Sequence, residues 1–435
     1  MIKQIFLDIK QESKNNLNFV FIILLLLSIP LLIWINSSCI FLLVISTVIY
    51  SKKNNFHFNR NYAFLITLFF LMAISVFWSI DVSSTKTALL KELPLIIIPS
   101  CFFFFQELTK ETKQKIIKYY SYGIVLFSFF YLLKAITRFY FTKNIDVFFY
   151  HELVTKEVNA IHVSVYVAIA FFYFFIIPIK KTVDYLAIIV LLLMVFLLSS
   201  KNIIVVFVAL IIIYQFFYAK SSKKLRLKNL IFFAVLILSF GFIGKIKDRF
   251  KQEYETIMTD STVNDVISKG NGIVFNVSIK QAWTNSTFQP NDFFPGTAFR
   301  VYQFRIFLEM LQEDGIFWRG YGLNASYSKI AQKGVFYNVF LGTSEMQGYQ
   351  TKNFHNQYVQ NFAELGFFGF LILISMLLIN LRNGINNKDF IHIAFAILMI
   401  SLFLTETFLW RQRGVVFFTT MFCLFNSGIL KKKIE

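Results

Sequence analysis

The sequence is poor in charged residues and in cysteine. Only 15% of its 435 residues are Asp, Glu, Lys or Arg, whereas a soluble domain of ordinary composition carries about 25%. The three cysteines fall within apolar stretches, and none has the CxxC spacing of a metal site: Cys39, Cys101 and Cys423. These shortages exclude a soluble globular enzyme, a cysteine-based metal centre and a disulfide-stapled secreted domain.

Several other signatures are missing as well. The sequence has no glycine-rich loop for a nucleotide, no carboxylate pair for Mg²⁺ in its polar segment, and no internal repeat. Matched halves are typical of secondary transporters, so the missing repeat disfavours a transporter. The first apolar stretch, which follows MIKQIFLDIKQESKNN, has no small-residue cleavage site after it, so we expect no cleaved signal peptide.

Long apolar stretches take the place of the missing charge. The chain is 57% hydrophobic with 57 Phe, and stretches of roughly 17 to 22 nearly uncharged residues are long enough to cross a ~30 Å hydrocarbon layer. We therefore predict an all-α polytopic membrane protein with about twelve transmembrane helices, the first two separated by the polar residues 36–38. The predicted spans are 18–35, 38–50, 62–80, 86–105, 119–139, 160–179, 183–199, 202–219, 229–246, 358–381, 389–408 and 413–430.

One large polar segment interrupts this pattern between spans nine and ten. It divides the chain into an N-terminal bundle at 1–246, a partly helical soluble loop at 247–357 and a C-terminal bundle at 358–435. The net charge of +19 could suggest nucleic acid, but the basic residues recur in every second short loop, as in cytoplasmic loops of membrane proteins. Long loops are translocated whatever their charge. We therefore expect cytoplasmic termini, a periplasmic 247–357 loop and no nucleic-acid partner.

The soluble loop contains one helix with a clear pattern. Residues 248–295 are polar and poorly periodic, so we expect a loop with at most one short helix there. From 298 to 314 we predict a helix that Thr297 caps and Gly315 ends. Its buried face consists of apolar residues at helical spacing: Phe299, Tyr302, Ile306, Met310 and Leu311.

Two arginines on this helix differ in their surroundings. Arg305 has Glu309 four residues further on, the spacing at which an ion pair forms on one face. Arg300 has no acidic residue within one turn, and it lies in the first turn, where the helix dipole disfavours a cation unless an anion is nearby. A guanidinium there suits a phosphate or pyrophosphate ligand. The alternative is an ordinary surface arginine.

A histidine lies where the soluble loop re-enters the membrane. His355, within NFHNQY at 353–358, is a candidate general base because neutral imidazole accepts a proton near ambient pH. The alternative is a structural histidine. Glu364 lies in the following span, and an intramembrane carboxylate is a functional candidate by default; capping or pairing near the headgroups is the alternative there.

Three further cations and one acid are predicted at the same outer level. Lys201 follows two serines in the turn between spans seven and eight; the alternative is a lysine that snorkels to the headgroups. Glu406, Arg411 and Arg413 lie where the last two spans are joined, at the end of one, in the loop and at the start of the other. The alternative for them is a Glu–Arg pair beside loose interfacial charges.

In their order and spacing these residues resemble the O-antigen ligase and O-antigen polymerase superfamily. Members of that superfamily have about twelve spans and one large periplasmic loop late in the chain. The chain departs from the usual pattern at Lys201, where arginine is common, and at Phe304, where tryptophan is common. The similar motifs are Gly296-Thr297-Ala298-Phe299-Arg300, Gly320-Tyr321-Gly322, His355-Asn356-Gln357-Tyr358 with Glu364-Leu365-Gly366, and Glu406 with Arg411-Gln412 and Gly414.

The resemblance implies an inverting glycosyltransferase of the bacterial inner membrane that needs no metal and no cofactor. It would move a glycan from undecaprenyl pyrophosphate to an acceptor hydroxyl on a lipid or on another glycan, at the periplasmic face. His355 would be the base, and Arg300 would neutralise the pyrophosphate. Further pyrophosphate contacts would be Lys201, Arg411 and Arg413, with supporting roles for Asn356, Glu364, Glu406 and Arg305. The alternatives are a polymerase of lipid-linked repeat units, a transporter of lipid-linked glycans and a structural membrane protein.

Overall fold

The computed structural model describes residues 8–12, 18–50, 56–105, 108–198, 200–219, 226–227, 231, 234–235, 244–264, 267–268, 272–344 and 346–428. Most of these residues are helical. The helices before the soluble segment are α1 (Asn18–Ser28), α2 (Ile33–Tyr50), α3 (Arg60–Ile74), α4 (Val82–Glu92), α5 (Pro94–Phe103), α6 (Lys110–Thr142), α7 (Tyr150–Leu153), α8 (Ala160–Ile176), α9 (Thr182–Leu197) and α10 (Lys201–Ile213).

The remaining elements form the soluble segment and the C-terminal helices. The helices are α11 (Gly244–Met258), α12 (Ile279–Thr284), α13 (Gly296–Glu313), α14 (Tyr327–Phe336), α15 (Gln357–Asn386), α16 (Phe390–Phe403) and α17 (Gln412–Asn426). The strands are β1 (Thr262–Val263), β2 (Phe275–Asn276) and β3 (Asp292–Phe293).

The apolar helices form a membrane bundle. Four of them are long and apolar enough to cross a membrane: α3 with its 3₁₀ extension, α6, α10 with its π-helical extension, and α15. Shorter apolar helices, among them α1, α8, α9 and α16, contribute to the same buried core. A helical membrane protein is therefore confirmed. The count of twelve spans stays a prediction, and two thirds of the predicted ninth span, 229–246, lie outside the described residues.

The break between the first two helices lies around Pro30, and the predicted break at 36–38 is wrong. α1 ends at Ser28, and α2 runs through Asn36 without interruption. Proline cannot donate the backbone hydrogen bond that a helix interior requires. Asn36 is buried, and its amide donates to Ser28 Oγ at 2.8 Å. A polar residue that resembled a loop signal thus lies inside the bundle, where its amide nitrogen has a partner and its Oδ1 has none among the described residues.

The predicted span 86–105 is in fact two helices of different character. α4 is polar and largely exposed, whereas α5 is apolar and largely buried. Pro94 lies at the start of α5, where a missing N–H costs little, and it separates the two helices. In contrast α6 begins earlier than predicted, at Lys110, so the basic residues 110–118 lie on a helix rather than in a loop.

The soluble segment is more ordered than predicted for 248–295. α11 crosses the predicted boundary at 247, and α12 and a small sheet follow it. The sheet order is β1–β2–β3, with β1 and β2 antiparallel and β2 and β3 parallel. Each strand has only two residues, which is too short for an alternating pattern to show in the sequence.

α13 is the predicted helix, with one correction at its start. Its N-cap is Pro295, and Thr297 lies inside the first turn, so the predicted Thr297 cap is wrong. The Thr297 N–H instead donates to the carboxylate of Glu253 on α11, at 3.3 Å. The helix ends before Gly315, whose φ is 62°. The predicted apolar face packs in a second core of Phe299, Tyr302, Ile306 and Met310, with Leu311 at its edge.

α15 is kinked at Gly366, where φ is 66° and ψ is −163°. A kink interrupts the helical hydrogen bonds and leaves carbonyl groups that need other partners. The carbonyls of Ala363 and Glu364 accept the N–H groups of Tyr321 and Gly322, at 2.9 and 2.8 Å. The Gly320-Tyr321-Gly322 motif therefore docks against α15, and Gly366 permits this close approach because a Cβ there would lie 2.3 Å from the backbone of Trp318.

Candidate active site

Three segments meet at one end of the bundle: the first turn of α13, the loop before α15 and the turn after α16. Arg300 Nε and Nη2 both donate to the carbonyl of Thr405, at 3.0 and 2.7 Å. Asn353 Nδ2 donates to Thr407 Oγ1 at 2.7 Å. These contacts join residues up to 105 positions apart in the sequence.

The carboxylate of Glu406 is the centre of this meeting point. Its Oε1 lies 3.7 Å from Arg300 Nη2 and 3.8 Å from His355 Nδ1. Burial opposes ionisation of Glu406, but the facing imidazole of His355 and the charge of Arg300 outweigh it, so the pKa of Glu406 is below its usual value. We call Arg300, His355 and Glu406 the Glu406 cluster.

Arg300 has an acidic partner, and the prediction of an unpaired guanidinium is wrong. The partner is Glu406, which comes from a distant turn rather than from α13. Glu406 therefore pairs with Arg300, and not with an arginine of its own turn as the alternative proposed. Arg300 Nη1 also donates to the Gly296 carbonyl at 2.8 Å. The Arg300 side chain remains 28% exposed, so part of it is accessible to a ligand.

His355 is held in a left-handed backbone conformation, with a φ of 47°. The backbone N–H of His355 donates to Asn353 Oδ1 at 3.0 Å. The predicted supporting residue Asn356 caps α15 by accepting two N–H groups of the first turn. The imidazole directs Nδ1 at Glu406, and within the described residues Nε2 has no hydrogen-bond partner. A proton on Nδ1 would leave Nε2 able to accept another.

Lys201 lies beside this cluster and pairs with an acid that sequence reasoning missed. At the start of α10, Lys201 Nζ forms an ion pair with Glu253 Oε1. The next residue, Asn202, donates to Thr405 Oγ1 at 3.0 Å and so ties α10 to the turn after α16. Burial opposes ionisation of Glu253, but the hydrogen bonds from Lys201 and Thr297 hold its pKa below the usual value. Nothing in the sequence distinguishes Glu253 from other acids of α11.

Arg305 belongs to a separate network. It forms the predicted ion pair with Glu309, at 3.1 Å from Nε to Oε1. It also donates to the Asn285 carbonyl at 2.7 Å and to the Tyr337 hydroxyl at 2.9 Å. Lys333 Nζ reaches the other oxygen of Glu309 at 2.9 Å. These contacts join α13 to α14 and to the segment before α13, which gives Arg305 a structural role.

The other two predicted cations, Arg411 and Arg413, are not part of the Glu406 cluster. Arg413 is 9% exposed and donates to the carbonyls of Glu157 and Leu31, at 2.6 and 2.8 Å. Arg411 is exposed, and among the described residues it forms no hydrogen bond or ion pair with the cluster. Arg413 therefore joins the start of α17 to two other loops.

Glu364 lies beneath the histidine loop. The side chain is 2% exposed and accepts hydrogen bonds from Gln360 Nε2 and, at 3.2 Å, from Ser326 Oγ. Gln360 Oε1 in turn accepts the N–H of Phe354, at 3.3 Å. Glu364 thus supports the residue next to His355 through Gln360, and the i, i+4 spacing of Gln360 and Glu364 was the available sequence signal.

These observations define a helical membrane protein with a cation–carboxylate–imidazole cluster at one end of its bundle. Residues 186–374 match the family described as O-antigen ligase. The match, which covers less than half of the chain, confirms the resemblance seen in the sequence. It includes Lys201, Glu253, Arg300 and His355, whereas Glu406 lies beyond it. No curated protein matches the chain.

Proposed function

We propose that the protein transfers a glycan from an undecaprenyl-pyrophosphate carrier to an acceptor hydroxyl, at the periplasmic face of the bacterial inner membrane. The family implies an enzyme of ligase or polymerase type that acts on lipid-linked glycans. The observation that carries the proposal is the position of Glu406 Oε1, which is close to both Arg300 Nη2 and His355 Nδ1. A proton acceptor thus lies beside a cation suited to a diphosphate.

His355 is the proposed general base. With its Nδ1 proton directed at Glu406, the imidazole can take the proton of the acceptor hydroxyl on Nε2. The acceptor oxygen forms a bond to the anomeric carbon as the bond from that carbon to the phosphate oxygen breaks, which inverts the configuration. The proton ends on His355, and Glu406 stabilises the resulting imidazolium.

Arg300 and Lys201 are the proposed partners of the leaving diphosphate. The diphosphate departs with the bonding electron pair, so negative charge grows on its oxygen in the transition state, where cations stabilise it. Arg411, exposed in the same region, is a further proposed contact. Because Arg413 is bound to two carbonyls and its side chain is only 11% exposed, against 28% for Arg300, we assign it the positioning of α17.

A ligase and a polymerase share this chemistry and differ in the acceptor. A ligase would use a hydroxyl of a different lipid or protein, and a polymerase a hydroxyl of a second glycan unit. The glycan profile of a deletion strain separates the two. Single repeat units would identify a polymerase, whereas long chains that remain on the carrier would identify a ligase.

A histidine substitution with a matched control tests the proposal. His355→Asn removes the base while keeping a residue that tolerates the left-handed conformation. His57→Asn is the control, because His57 is exposed and lies before α3. In a complemented deletion strain, we expect His355→Asn to abolish surface glycan and His57→Asn to retain it, at equal amounts of membrane protein. Undiminished glycan with His355→Asn would refute the base role.

A further inference from the structure

The first turn of α13 already holds a carboxylate, that of Glu253. α11 carries this residue, whose Oε1 pairs with Lys201 Nζ and whose Oε2 accepts the Thr297 N–H at 3.3 Å. That N–H is one of the donors at a helix start that no residue within the helix can satisfy. Glu253 is therefore bound as an anion, by a lysine and by a helix N-terminus.

Arg300 approaches the same point from another side. A Cβ atom added to Gly296 would lie 3.2 Å from Glu253 Oε1 and 3.1 Å from Arg300 Nη1. The lack of a side chain at Gly296 thus leaves room for the carboxylate and the guanidinium together. We call the small volume between Lys201 Nζ, the Thr297 N–H and Arg300 Nη1 the α13 anion position.

We propose that the α13 anion position binds one phosphoryl group of a diphosphate and that Glu253 occupies it until the diphosphate arrives. The inference rests on the proposed function, because it takes the donor to be a diphosphate ester. A phosphoryl group prefers the partners that now bind the carboxylate, namely cationic side chains and N–H groups at a helix start. Glu253 is then a competitor that the donor displaces and that returns when the spent carrier leaves.

Competition between the two anions has a measurable consequence. Like charges at contact distance repel, so the diphosphate and the Glu253 carboxylate exclude one another. The apparent affinity for a diphosphate is reduced by the fraction of molecules in which Glu253 still occupies the position. Removal of the Glu253 charge therefore strengthens diphosphate binding. A purely structural carboxylate would leave that binding unchanged, or weaken it when lost.

The test measures the binding of inorganic pyrophosphate to the full-length protein in nanodiscs by calorimetry. Glu253→Gln keeps the side-chain shape and removes the charge. Glu255→Gln is the matched control, because Glu255 lies on the same helix and pairs with Lys251 at 3.4 Å. At low ionic strength we expect Glu253→Gln to lower the dissociation constant about fivefold, and Glu255→Gln to leave it unchanged.

A second variant at the same position makes the test independent of whether Glu253→Gln folds. Glu253→Ala, which empties the position, should also bind pyrophosphate more tightly, and the thermal midpoint of each sample verifies that it is folded. Lys201→Gln combined with Glu253→Gln should lose the gain. Pyrophosphate binding that is unchanged or weaker in the folded Glu253 variants would overturn the proposal.

Failure of this inference and failure of the proposed function give different results. If Glu253→Gln tightens pyrophosphate binding but the protein transfers no glycan, the anion position is correct and the proposed reaction is wrong. If the protein transfers glycan but Glu253→Gln does not alter pyrophosphate binding, the reaction is correct and the competitor role of Glu253 is wrong.

Discussion

His355 Nδ1 lies 3.8 Å from Glu406 Oε1, although the histidine precedes α15 and the glutamate follows α16. The contact favours the tautomer in which Nδ1 carries the proton, because the negative charge of the facing carboxylate attracts that proton. The same oxygen faces Arg300. The Glu406 carboxylate therefore orients both His355, the proposed base, and Arg300, the proposed binding residue for the diphosphate.

Replacement of Glu406 tests this double role. Glu406→Gln keeps a hydrogen-bond acceptor but removes the charge that stabilises an imidazolium, so we expect turnover to fall about 100-fold. The measurement is glycan transfer from a synthetic polyprenyl-diphosphate donor by the purified protein. Glu313→Gln is the control, since Glu313 is 58% exposed and pairs with Lys333. Turnover within twofold of the unmutated protein for Glu406→Gln would contradict the assignment.

The depressed pKa of Glu406 predicts how stability changes with pH. Its pKa in the folded protein is below the ordinary value of 4.5, so its ionised form stabilises the fold at neutral pH. That contribution is complete above the ordinary value and is lost as the pH falls through the lower, folded-state value. We therefore expect Glu406→Gln to lower the thermal midpoint at pH 7 and to lower it less at pH 3. An equal difference at both pH values would contradict the pKa direction.

The two arginines of α13 should respond differently to substitution. Arg300→Ala removes the proposed diphosphate contact and the partner of Glu406, so we expect turnover to fall more than 100-fold, on the order of a lost electrostatic stabiliser. Arg305→Ala removes contacts to Glu309, Asn285 and Tyr337, so we expect a loss of about 1–3 kcal/mol in stability with activity largely retained. The reverse ranking in the transfer assay would overturn both assignments.

The kink of α15 provides a comparison of two glycines. A Cβ on Gly366 would lie 2.3 Å from the backbone of Trp318, whereas a Cβ on Gly315 would meet nothing within 4 Å. Both residues have a positive φ, so both pay the strain of about 1–2 kcal/mol. We expect Gly366→Ala to reduce the free energy of unfolding by at least about 4 kcal/mol. Gly315→Ala should reduce it only by the backbone strain. Thermal unfolding of both variants measures the difference, and equal losses would contradict the steric explanation.

Cysteine labelling tests the predicted side of the soluble segment. Lys280 is exposed on α12, and the natural cysteines are buried or partly buried, so Lys280→Cys supplies an accessible thiol over a low background. We expect a membrane-impermeant maleimide to label it in intact spheroplasts. Labelling only after lysis would place the segment in the cytoplasm and reverse the predicted topology.

The membrane fold could be predicted because hydrocarbon length and low charge leave a strong signal in a sequence. The breaks between helices could not be predicted as well. Asn36 indicated a loop, yet its side-chain nitrogen donates to Ser28 of the preceding helix, and such a partner has no fixed spacing. The two-residue strands of the soluble segment left no periodic signal at all.

The candidate site was predictable residue by residue but not as an assembly. Arg300 and His355 were singled out by their chemistry and local position. Their common partner Glu406 was only a supporting candidate, because an ion pair between distant segments leaves no pattern in the chain. Glu253 was missed for the same reason, and the cations Arg411 and Arg413 were assigned together although only Arg413 is held by backbone carbonyls.

The location of Glu406 after α16 has a consequence for how the protein is made. The ribosome completes Lys201, Arg300 and His355 well before the turn that carries Glu406. A nascent chain that has inserted α15 but not α16 would contain Arg300 and His355 but would lack the Glu406 carboxylate that contacts both. Catalytic competence should therefore begin only when the last two helices are in the bilayer, and a fragment that ends with α15, at Asn386, should be inert.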